Sequence, residues 1–580
     1  MTRGAETKSQ SARRFAGRVT LVLVVFVLAA TTLVARAVHL QVLDTDFLTS
    51  QADTRHLRTE TIAAHRGTIT DRNGEPLAIS TPVDSIWAEP KELAPAVDDI
   101  PRLAALLKID PDMLIRRITR SMDKEFVYLK RHLSPDQAER VLALNLPGVN
   151  VQREYRRYYP AGEVTGHLVG FADVDEKGRE GLELAFNHWL AGEPGAKRVL
   201  KDRLGRPVEN VESIRQPRQG KELRTSIDLR IQYLAYRTLK SAVRQHKALS
   251  GSIVVLDVHT GEVLALAVQP TFNPNDGAQR TGERYRNRAI TDIFEPGSSI
   301  KPLVVAAALD SGRFRPSSVI DTSPGAVVVG PKRIEDKRNL GEISLTTILA
   351  RSSNVGATKL AMALPADQLW STMTSLGFGE LTASGFPGES AGLLTHFDNW
   401  KEINQATLGY GYGISVTALQ LAQSYAALGN GGRLQPVSLV ALDAPPGGRQ
   451  VISMEAANAV TAMLEQVVKP GGTGTKAAVP GYRVAGKTGT AWKSGIGGYS
   501  RDKYFSIFAG LAPASEPRLA AIVVIDEPHG EYYYGSDVAA PVFAEVMTES
   551  LRLLAVPPDD LPARDPGAII QAMSRQAAER

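Results

Sequence analysis

The sequence predicts a mixed α+β protein with several domains and an N-terminal membrane helix. The chain has 580 residues, which is more than a single domain usually holds. An uncharged apolar run occupies residues 19–35, close to the start. After residue 220 the pattern gives β-rich runs first, then many helices, then β-rich runs again. One sheet that gathers strands from both ends, with helices on its faces, would bury all of these apolar surfaces.

The apolar run predicts a membrane anchor. It has 17 residues, the lower limit for a spanning helix. The residues before it are mainly basic: Arg3, Lys8, Arg13, Arg14 and Arg18, against the single acid Glu6. This bias predicts a cytoplasmic tail at 1–18, an anchor at 19–39 and the rest of the chain outside the cytoplasmic membrane. A cleaved signal peptide, with Ala35-Arg36-Ala37 as its site, is the alternative, but its apolar part usually has only about 7–15 residues.

The composition excludes several kinds of site. The chain has no cysteine, which rules out disulfides, thiolate metal sites and a cysteine nucleophile. Its net charge is +5, and much of the excess lies in the N-terminal tail. The sequence contains no basic stripe interleaved with aromatic residues, which a nucleic-acid groove would need. We therefore expect no nucleic-acid partner.

Residues 40–218 show no cluster of acidic and histidine side chains, and we expect a non-catalytic pedestal domain there. The Asn73-Gly74 pair predicts a hairpin, and helices are expected at 100–107 and 136–144. Residues 153–159 are rich in Arg and Tyr. A binding patch is one interpretation, but we prefer arginines that pair with nearby glutamates in a packed region. Pro and Gly at 214–221 predict the domain boundary.

The pattern after this boundary predicts a second domain at 219–557. Strands are expected at 223–228, 252–256, 263–268, 505–511 and 519–525. Helices are expected at 229–246, 303–309, 343–350, 354–364 and 418–428. A hairpin should join the second and third strands around Gly261. Residues 558–580 are polar and contain several prolines, so we expect a disordered tail there.

A first candidate site lies at Ser298 and Lys301. Pro296-Gly297 predicts a turn, and the apolar residues after it predict a buried helix whose first turn would hold Ser298. Residues i and i+3 share a helix face, so Lys301 would lie beside Ser298 near the positive helix end. A hydroxyl beside an amine that loses its proton on desolvation is an activated nucleophile. Taken alone, a capping serine and a solvated lysine explain so short a motif better.

Two further stretches carry polar groups. Ser352 and Asn354 lie on a loop between two helical patterns and can point into one cleft, although both residue types are common helix caps. Residues 483–491 read as a strand in which Gly486 and Gly489 let a ligand or another backbone approach closely. Lys487 and Thr488 would suit a carboxylate on the ligand. A solvated lysine on an edge strand is the plain alternative.

Residues 481–488 also match the phosphate-loop pattern G-x-x-x-x-G-K-[ST]. Such a loop must follow a buried strand and open a helix. Gly489 directly after the Lys487-Thr488 pair is poor for a helix start, and the following residues look extended. A location outside the membrane would also deny this loop ATP. We therefore expect no nucleotide site.

Taken together, the motifs resemble those of a known family. Ser298-x-x-Lys301, Ser352-x-Asn354 and Lys487-Thr488-Gly489, in this order, resemble the signature of penicillin-binding proteins and serine β-lactamases. Four other stretches resemble class B penicillin-binding proteins, namely 66–74, 157–162, 181–183 and 294–297. Residues 410–417 and the length look most like the peptidoglycan D,D-transpeptidase of the division septum (FtsI-type), with the elongation type as the close rival. The residues before 220 contain no acidic glycosyltransferase motif, which argues against a bifunctional class A protein.

The resemblance implies a fold and a set of catalytic roles. The second domain would be a penicillin-binding transpeptidase domain, an antiparallel sheet flanked by helices as in serine β-lactamases. Ser298 would attack the penultimate D-Ala carbonyl of a peptidoglycan stem peptide, and neutral Lys301 would take its proton. Ser352 would relay a proton to the leaving D-Ala, and Asn354 would hold the substrate amide.

The resemblance also implies how the substrate is bound. Lys487 and Thr488 would meet its terminal carboxylate, and Gly489 and Thr490 would complete the substrate-binding strand. The backbone amides of Ser298 and Thr490 would form the oxyanion hole. An amine from a neighbouring strand would resolve the acyl-enzyme, and β-lactams would acylate the same serine. No metal or organic cofactor is implied.

The implied setting is the bacterial inner membrane. The protein would cross it once, with the catalytic domain in the periplasm. An FtsW-like membrane glycosyltransferase and other division proteins would be partners.

Other activities compete with transpeptidation. A β-lactamase would need a group that activates water, and Glu389 is one acid in the right interval, but its Pro- and Gly-rich setting reads as a turn. A D,D-carboxypeptidase, or a membrane β-lactam sensor or scaffold, shares the same motifs. Trp492 stands where some division-type relatives carry a basic residue. Residues 493–503 read as a mobile loop beside the cleft, and Tyr532–Tyr534 would either wall a subsite or pack.

Overall fold

The computed structural model of the protein describes residues 5–43, 57–62, 64–201, 207–495 and 498–561. The chain folds into two compact units. One contains Met1–Ala64, Ser85–Gln152 and Glu193–Gln219, and the other contains His65–Asp84, Arg153–Gly192 and Gly220–Arg580. Most of the predicted C-terminal tail, 562–580, lies outside the described residues.

The first unit begins with a long helix, Ala5–Val38, which continues into a π-helical turn, His39–Leu43. Within it, Gly17–Val42 is a 26-residue segment long and apolar enough to cross a membrane. Its side chains are exposed rather than buried among the described residues. This single apolar helix near the N-terminus fits a single-pass membrane protein.

The remainder of the first unit is a small α+β domain. Strand Gly195–Lys201 lies between Leu57–Ile62 and Pro207–Arg215 in an antiparallel sheet. Helices Ile100–Leu107, Pro111–Thr119 and Pro135–Leu142 and strand Val127–Leu133 surround a separate apolar core. Two of these helices are the predicted ones. Helix Pro135–Leu142 begins at a capping box in which Ser134 and Gln137 bind each other's backbone amides.

The second unit includes chain segments from before residue 220. Strand Ile69–Thr70 pairs antiparallel with the start of Pro76–Ala88 through the predicted Asn73-Gly74 turn. Strand Ile69–Thr70 also pairs in parallel with Leu223–Arg224. Of the strand predicted at 223–228, only these two residues form a strand. Residues 166–190 add short elements to this unit. They are helices Gly166–Val169, Gly181–Ala185 and Asn187–Leu190, and strands Phe171–Ala172 and Gly178–Glu180.

A buried ion network holds these segments. The carboxylate of Glu183 accepts hydrogen bonds from Nε of Arg66 at 2.7 Å and from Nε of Arg157 at 2.6 Å, and all three side chains are buried. Arg153 pairs with Asp84 at 2.6 Å. Two of the three arginines in the Arg- and Tyr-rich stretch therefore pair with acids, and Arg157 pairs with a glutamate as predicted. Removing one partner of such a buried pair typically costs about 3–5 kcal/mol, because the remaining charge is left uncompensated.

A five-stranded antiparallel sheet forms the centre of the second unit. Its strands in chain order are β1 (Ser250–Asp257), β2 (Val263–Gln269), β3 (Ala485–Gly495), β4 (Gly498–Ala512) and β5 (Leu519–Asp526). Their order in space is β2-β1-β5-β4-β3. The early and late strands meet where Ile253 of β1 lies opposite Val523 of β5. This confirms the predicted sheet with strands from both ends of the domain, and it makes β3 an edge strand.

Helices cover both faces of this sheet. They are α1 (Leu229–Gln245), α2 (Lys301–Asp310), α3 (Leu345–Arg351), α4 (Asn354–Ala363), α5 (Ala418–Gly429), α6 (Met454–Val468) and α7 (Ala540–Leu553). Helices α1 and α7 share one core with Ile253 and Val255, whereas α2 to α6 share the other core with Val254 and Leu256. Successive residues of a strand point to opposite faces, so β1 is buried along its length and reads as a continuous apolar run.

The β3–β4 hairpin differs from the sequence prediction. Residues 493–503 were expected to form a mobile loop, but β3 runs to Gly495 and β4 starts at Gly498. Lys493 donates to Asp526 at 2.8 Å and to Glu527 at 2.7 Å. The charge that favoured a solvated loop is therefore paired across the sheet. Because the Gly-Lys-Thr residues lie within β3 and do not open a helix, the phosphate-loop pattern lacks its required context.

Candidate active site

A cleft of about 570 Å³ lies along the edge strand β3. Five of the eight predicted site residues line it, namely Ser298, Ser352, Asn354, Thr488 and Thr490. Two others, Lys301 and Lys487, are fully buried and reach the cleft through their terminal nitrogen atoms. The last, Gly489, lies between the two threonines in β3. The fold thus brings together three motifs that are far apart in the sequence.

Ser298 lies in a 3₁₀ turn, Gly297–Ile300, that runs directly into α2. The sequence predicts it in the first turn of the α-helix itself, which begins only at Lys301. The turn is fixed from three sides. Gly297 N donates to Gly411 O at 3.1 Å, Ser299 Oγ to Pro296 O at 2.7 Å, and Tyr425 OH to Ser299 O at 2.7 Å.

Two glycines are required at this turn. Gly297 has a φ of +52°, which favours glycine. Gly411 has a φ of +90°, and a Cβ there would lie 2.0 Å from the carbonyl oxygen of Gly297. The backbone before Ser298 is therefore held by a close contact that only glycine allows.

The hydroxyl of Ser298 is not held by a neighbour. Among the residues that the structure describes, its Oγ makes no hydrogen bond, including none with Lys301. Its side chain is half-buried at the cleft wall. The predicted contact between this hydroxyl and the lysine is therefore not formed. Catalytic hydrogen bonds of this kind often tighten only when the substrate binds.

Lys301 is the first residue of α2, and its side chain is fully buried. Its Nζ donates to the backbone carbonyl oxygen of Ser352 and to Oδ1 of Asn354, each at 2.7 Å. The Oγ of Ser352 lies 3.3 Å away. Both short bonds go to oxygen atoms that only accept, so they use two N–H groups. A neutral amine has two such groups, and its lone pair then remains free.

The electrostatic setting favours this neutral form. Burial lowers the pKa of Lys301 well below its ordinary value, because a charged amine is poorly solvated there. The nearby charge of Lys487 lowers that pKa further, whereas the carboxylate of Asp336 acts in the opposite direction. A buried amine with a lowered pKa is a suitable general base near neutral pH.

Ser352 and Asn354 are held by the ends of two helices. Ser352 follows α3 in a left-handed conformation, with a φ of +58° that is unusual for a residue with a side chain. Asn354 is the first residue of α4, and Ser353 caps this helix by accepting from Gly356 N at 2.9 Å. The backbone between the two helices thus directs both polar side chains towards Lys301.

Lys487 approaches the same hydroxyl from β3. Its Nζ lies 3.1 Å from the Oγ of Ser352 and donates to the backbone carbonyl oxygen of Thr488, also at 3.1 Å. Burial lowers the pKa of Lys487 to about 7. The plain alternative of a solvated lysine is wrong, although β3 is an edge strand as that alternative supposed.

The remainder of β3 forms the floor of the cleft. Thr488 and Thr490 both line it, as the two-residue period of a strand requires. Thr488 Oγ1 donates to Thr473 Oγ1 at 3.1 Å, and Thr490 Oγ1 accepts from Gly535 N at 3.1 Å. A Cβ on Gly489 would lie 3.0 Å from the carbonyl oxygen of Pro296, so this glycine permits the close backbone approach that we predicted.

No pattern in the sequence indicates a role for Asp336, which follows the hairpin formed by Ala326–Val329 and Lys332–Glu335. Its carboxylate accepts hydrogen bonds from the Ser353 hydroxyl and from the backbone amides of Asn354 and Val355. These amides lack partners within the helix, and an anion at a helix N-terminus is stabilised. Asp336 therefore anchors the segment that carries Ser352 and Asn354.

Three other predicted features are now placed. Glu389 accepts from the Thr382 amide and the Ser384 hydroxyl and does not line the cleft, so it belongs to a turn, as expected. Two tyrosines of the predicted run, Tyr533 and Tyr534, have different roles. Tyr534 lines the cleft, whereas Tyr533 stacks on Tyr504 with ring centres 4.3 Å apart. Trp492 is half-exposed at the end of β3 beyond Thr490.

Comparison with known families and proteins agrees with this geometry. The family model for the penicillin binding protein transpeptidase domain matches residues 251–548. The model for the penicillin-binding protein dimerisation domain matches residues 61–225. The first range contains all three motifs, and the second lies within the predicted pedestal except for its last residues.

Similar proteins match over almost the whole chain. Peptidoglycan D,D-transpeptidase FtsI of Escherichia coli is 45% identical over 543 residues, which are 93% of this chain and 92% of that protein. The probable peptidoglycan D,D-transpeptidase PbpC of Pseudomonas aeruginosa is 41% identical over 551 residues, 95% and 98% of the two chains. A solved structure of penicillin-binding protein 3 from Mycobacterium tuberculosis, complexed with aztreonam, is 28% identical. It covers 86% of this chain and 98% of its own, with a TM-score of 0.68.

The motifs, their meeting in one cleft and these similarities lead to the same assignment. The chain belongs to the class B penicillin-binding proteins, the family of the FtsI-type peptidoglycan D,D-transpeptidases.

Proposed function

We propose that the protein cross-links peptidoglycan stem peptides through an acyl-enzyme on Ser298, in septal wall synthesis during cell division. The observation that carries this proposal is the meeting of two buried lysines at one hydroxyl. Lys301 and Lys487 both contact Ser352 in a cleft that Ser298 lines. The similarity to FtsI supports the septal role.

In the acylation step, the oxygen of Ser298 bonds to the carbonyl carbon of the penultimate D-Ala. The proton of the Ser298 hydroxyl passes to the free lone pair of Lys301. The backbone amides of Ser298 and Thr490 would stabilise the oxyanion, and losing one such donor typically costs about 3 kcal/mol. Because both hydrogens of neutral Lys301 are already engaged, the incoming proton has one place to go.

In the next step, the carbon–nitrogen bond breaks and D-Ala leaves with a proton. Ser352 Oγ lies within reach of both lysines and can pass a proton from Lys301 to the leaving amine. Asn354 would hold the substrate amide. Lys487, Thr488 and Thr490 would bind the terminal carboxylate, which suits a lysine that is partly charged near neutral pH.

In the transfer step, the amine of a second stem peptide attacks the ester, and Ser298 recovers its proton. The position of Glu389 away from the cleft favours transfer over a β-lactamase reaction, since this acid cannot activate water there. β-Lactams would acylate Ser298 and leave slowly.

We further propose the cellular arrangement. The basic residues before the apolar helix favour a cytoplasmic N-terminus and a periplasmic catalytic domain. Residues 40–218 would serve as a non-catalytic pedestal and 219–557 as the transpeptidase domain. An FtsW-like glycosyltransferase would be the partner in the membrane.

Labelling with a fluorescent penicillin tests the nucleophile. The wild-type protein should be labelled, and Ser298→Ala should not. Ser311→Ala, a change of the same kind at the end of α2 and away from the cleft, is the matched control and should label like the wild type. Equal labelling of Ser298→Ala and wild type would refute the assignment.

Product analysis tests the reaction. A donor stem pentapeptide and an amine acceptor should give a cross-linked product and free D-Ala. Release of D-Ala with hydrolysed donor alone would indicate a D,D-carboxypeptidase. Labelling of Ser298 without turnover of any peptide would indicate a sensor or scaffold.

A further inference from the structure

A groove of the second unit lies between helices α1 and α7, apart from the catalytic cleft. Its cavity measures about 1140 Å³, and none of the described residues that line it also lines the cleft. Tyr233 is 52% exposed in this groove. The apolar part of the lining consists of Ala161, Val164, Leu229, Tyr233, Leu234 and Leu553. A contiguous apolar lining that is open to solvent indicates an interaction site.

One end of the groove, its acidic end, is formed by the start of α1 and the end of α7. Asp71 accepts a hydrogen bond from the Leu229 amide at 3.1 Å, which places this carboxylate at the start of α1. Glu75 follows on the same hairpin, and its amide donates to Asp71 at 2.9 Å. Glu549 lines the groove one turn before the end of α7. This end therefore favours a positively charged group.

The other end of the groove is its basic end. Thr238 Oγ1 donates to Glu545 at 2.9 Å, so α1 and α7 run antiparallel along the groove. Arg237 lines this end and lies 3.8 Å from Glu545, which makes a loose ion pair. Arg237 and Arg244 also line a second cavity of about 700 Å³ farther along α1. Among the described residues, the guanidinium of Arg244 has no ion-pair or hydrogen-bond partner.

The sequence at 565–580 has the pattern of an amphipathic helix. Asp565-Pro566 is a helix start signal, because aspartate is a preferred N-cap and proline is favoured at the first helical position. Apolar residues then recur on one helix face, at Ile569, Ile570, Met573 and Ala577. Gln571, Ser574 and Arg575 fall on the opposite face. A helix of about 15 residues is marginal alone in water, so it needs a surface on which to pack.

This segment can reach the acidic end of the groove. Val556 N donates to Leu551 O at 2.9 Å, so at residue 556 the chain still lies beside the end of α7. The chain from Val556 to Leu561 spans at most about 17 Å, and the chain from Leu561 to Pro566 can cover the same distance back. A helix over 566–580 would be about 22 Å long, which matches α1 from its start to Arg244. The segment therefore fits the groove in reach and in length.

We propose that residues 565–580 form a helix that lies in the groove between α1 and α7 of the same chain. Its apolar face covers the apolar lining around Tyr233. Its N-terminal end, where the helix dipole is positive, lies at the acidic end of the groove. Its C-terminal end, which is negative and carries Glu579, lies at the basic end. Because the helix is tethered, its effective concentration is about millimolar, and a modest apolar contact is enough to hold it.

Engineered cysteine pairs test this contact, since the chain has no cysteine of its own. The full-length protein in detergent carries Tyr233→Cys together with either Met573→Cys, on the apolar face, or Gln571→Cys, on the opposite face. Copper phenanthroline oxidises each pair, and mass spectrometry follows the linked peptides over time. The two positions are two residues apart, so a tail without a docked helix would link both at the same rate.

We expect the Met573 pair to link about tenfold faster than the Gln571 pair, because a disulfide requires closely spaced Cα atoms and the helix turns residue 571 away. Ile570→Asp puts a charge on the apolar face and should bring this ratio of rates towards one. Ser574→Asp adds the same charge on the opposite face and should keep the ratio.

The charges of the basic end are tested in the same way. Arg237→Glu combined with Arg244→Glu should lower the ratio about fivefold, because both new carboxylates repel the negative C-terminal end of the helix. Arg315→Glu makes the same change outside both cavities and should leave the ratio unchanged. Tyr233 and all three arginines are exposed, so these variants should fold like the wild type.

The result does not depend on catalysis, so it stands or falls separately from the proposed transpeptidase function. A Met573 pair that links no faster than the Gln571 pair would overturn the proposal and leave the groove to another protein. Links between two chains, with a yield that rises with protein concentration, would also overturn it and assign the groove to a second copy. An unchanged ratio in Ile570→Asp would show that the apolar face does not hold the segment.

Discussion

Lys301 and Lys487 share one partner, the hydroxyl of Ser352, whose oxygen lies 3.3 Å from the first Nζ and 3.1 Å from the second. Both lysines are fully buried, so two positive charges at this place would be costly. The pKa of Lys301 lies well below its ordinary value because of burial and the charge of Lys487, and burial brings the pKa of Lys487 to about 7. These two shifts suit the proposed roles, in which Lys301 is the neutral base and Lys487 the partly charged anion binder near neutral pH.

This difference predicts a bell-shaped pH profile for acylation of the free enzyme by a carboxylate-bearing β-lactam. The second-order rate constant should fall as the pH rises through about 7, because Lys487 loses its charge. It should also fall at low pH, because Lys301 becomes protonated. Stopped-flow acylation from about pH 5 to about pH 9 measures both limbs.

Lys487→Met is the test of that assignment. The fall above neutral pH should disappear, and the acidic limb should move to higher pH, because removing a like charge raises the pKa of Lys301. A variant whose alkaline limb is unchanged would show that another group titrates there.

Ser352 allows the role of the hydroxyl to be separated from the backbone strain. Ser352→Ala and Ser352→Gly both remove the proton relay, so both should lower the acylation rate by roughly 10²- to 10⁴-fold. Their stabilities should differ, because Ser352 has a φ of +58° and a side chain in this region costs about 1–2 kcal/mol. Thermal unfolding should therefore show the glycine variant to be the more stable one.

Acylation kinetics and thermal unfolding test two separate claims, the proton path and the backbone strain. If Ser352→Gly keeps wild-type acylation, the hydroxyl is not part of the proton path. If the two variants unfold at the same temperature, the left-handed backbone is not strained by its side chain.

The predictable parts of the fold are those that local pattern determines. β1 and β2 were found because both faces of the sheet are covered, which makes the strands apolar throughout. The residues around Ser298, Ser352 and Lys487 were found because each motif is short and contiguous. Their meeting in one cleft followed only from the order of the motifs and the family resemblance, since no local pattern indicates a distance between separate segments.

What the sequence did not reveal depends on partners distant in the chain. Lys493 reads as a solvated charge until Asp526 and Glu527 are placed beside it across the sheet. Asp336 reads as one acid among several charges, because its main partners are backbone amides, which look alike in any sequence. A role that rests on main-chain groups gives no pattern to detect.

Asp336→Asn should therefore affect both the position of Asn354 and the chemistry of Lys301. The amide side chain has one acceptor oxygen instead of two, so α4 loses part of its cap and the protein should lose about 1 kcal/mol of stability. Because the carboxylate raises the pKa of Lys301, its removal should move the acidic limb of the acylation profile to lower pH.

A purely structural role for Asp336 would lower the acylation rate at every pH and leave the limb in place. Glu335→Gln is the matched control. Glu335 lies next to Asp336 in the chain and lines the same cleft, but its carboxylate pairs with Arg333. It should leave the limb where the wild-type protein has it.

Gly411→Ala should displace the turn that carries Ser298. The new Cβ would lie 2.0 Å from the carbonyl oxygen of Gly297, so the backbone before Ser298 must move. A misplacement of about 1 Å can cost roughly 10²-fold in rate, and acylation by penicillin should fall by about that factor. Gly312→Ala is the control, because Gly312 also has a positive φ, of +70°, but a Cβ there meets no atom within 4 Å. Both variants should unfold at a lower temperature than the wild type, since each forces a side chain into the left-handed region. Only Gly411→Ala should lose acylation, and a similar loss in Gly312→Ala would mean that the contact with Gly297 does not position Ser298.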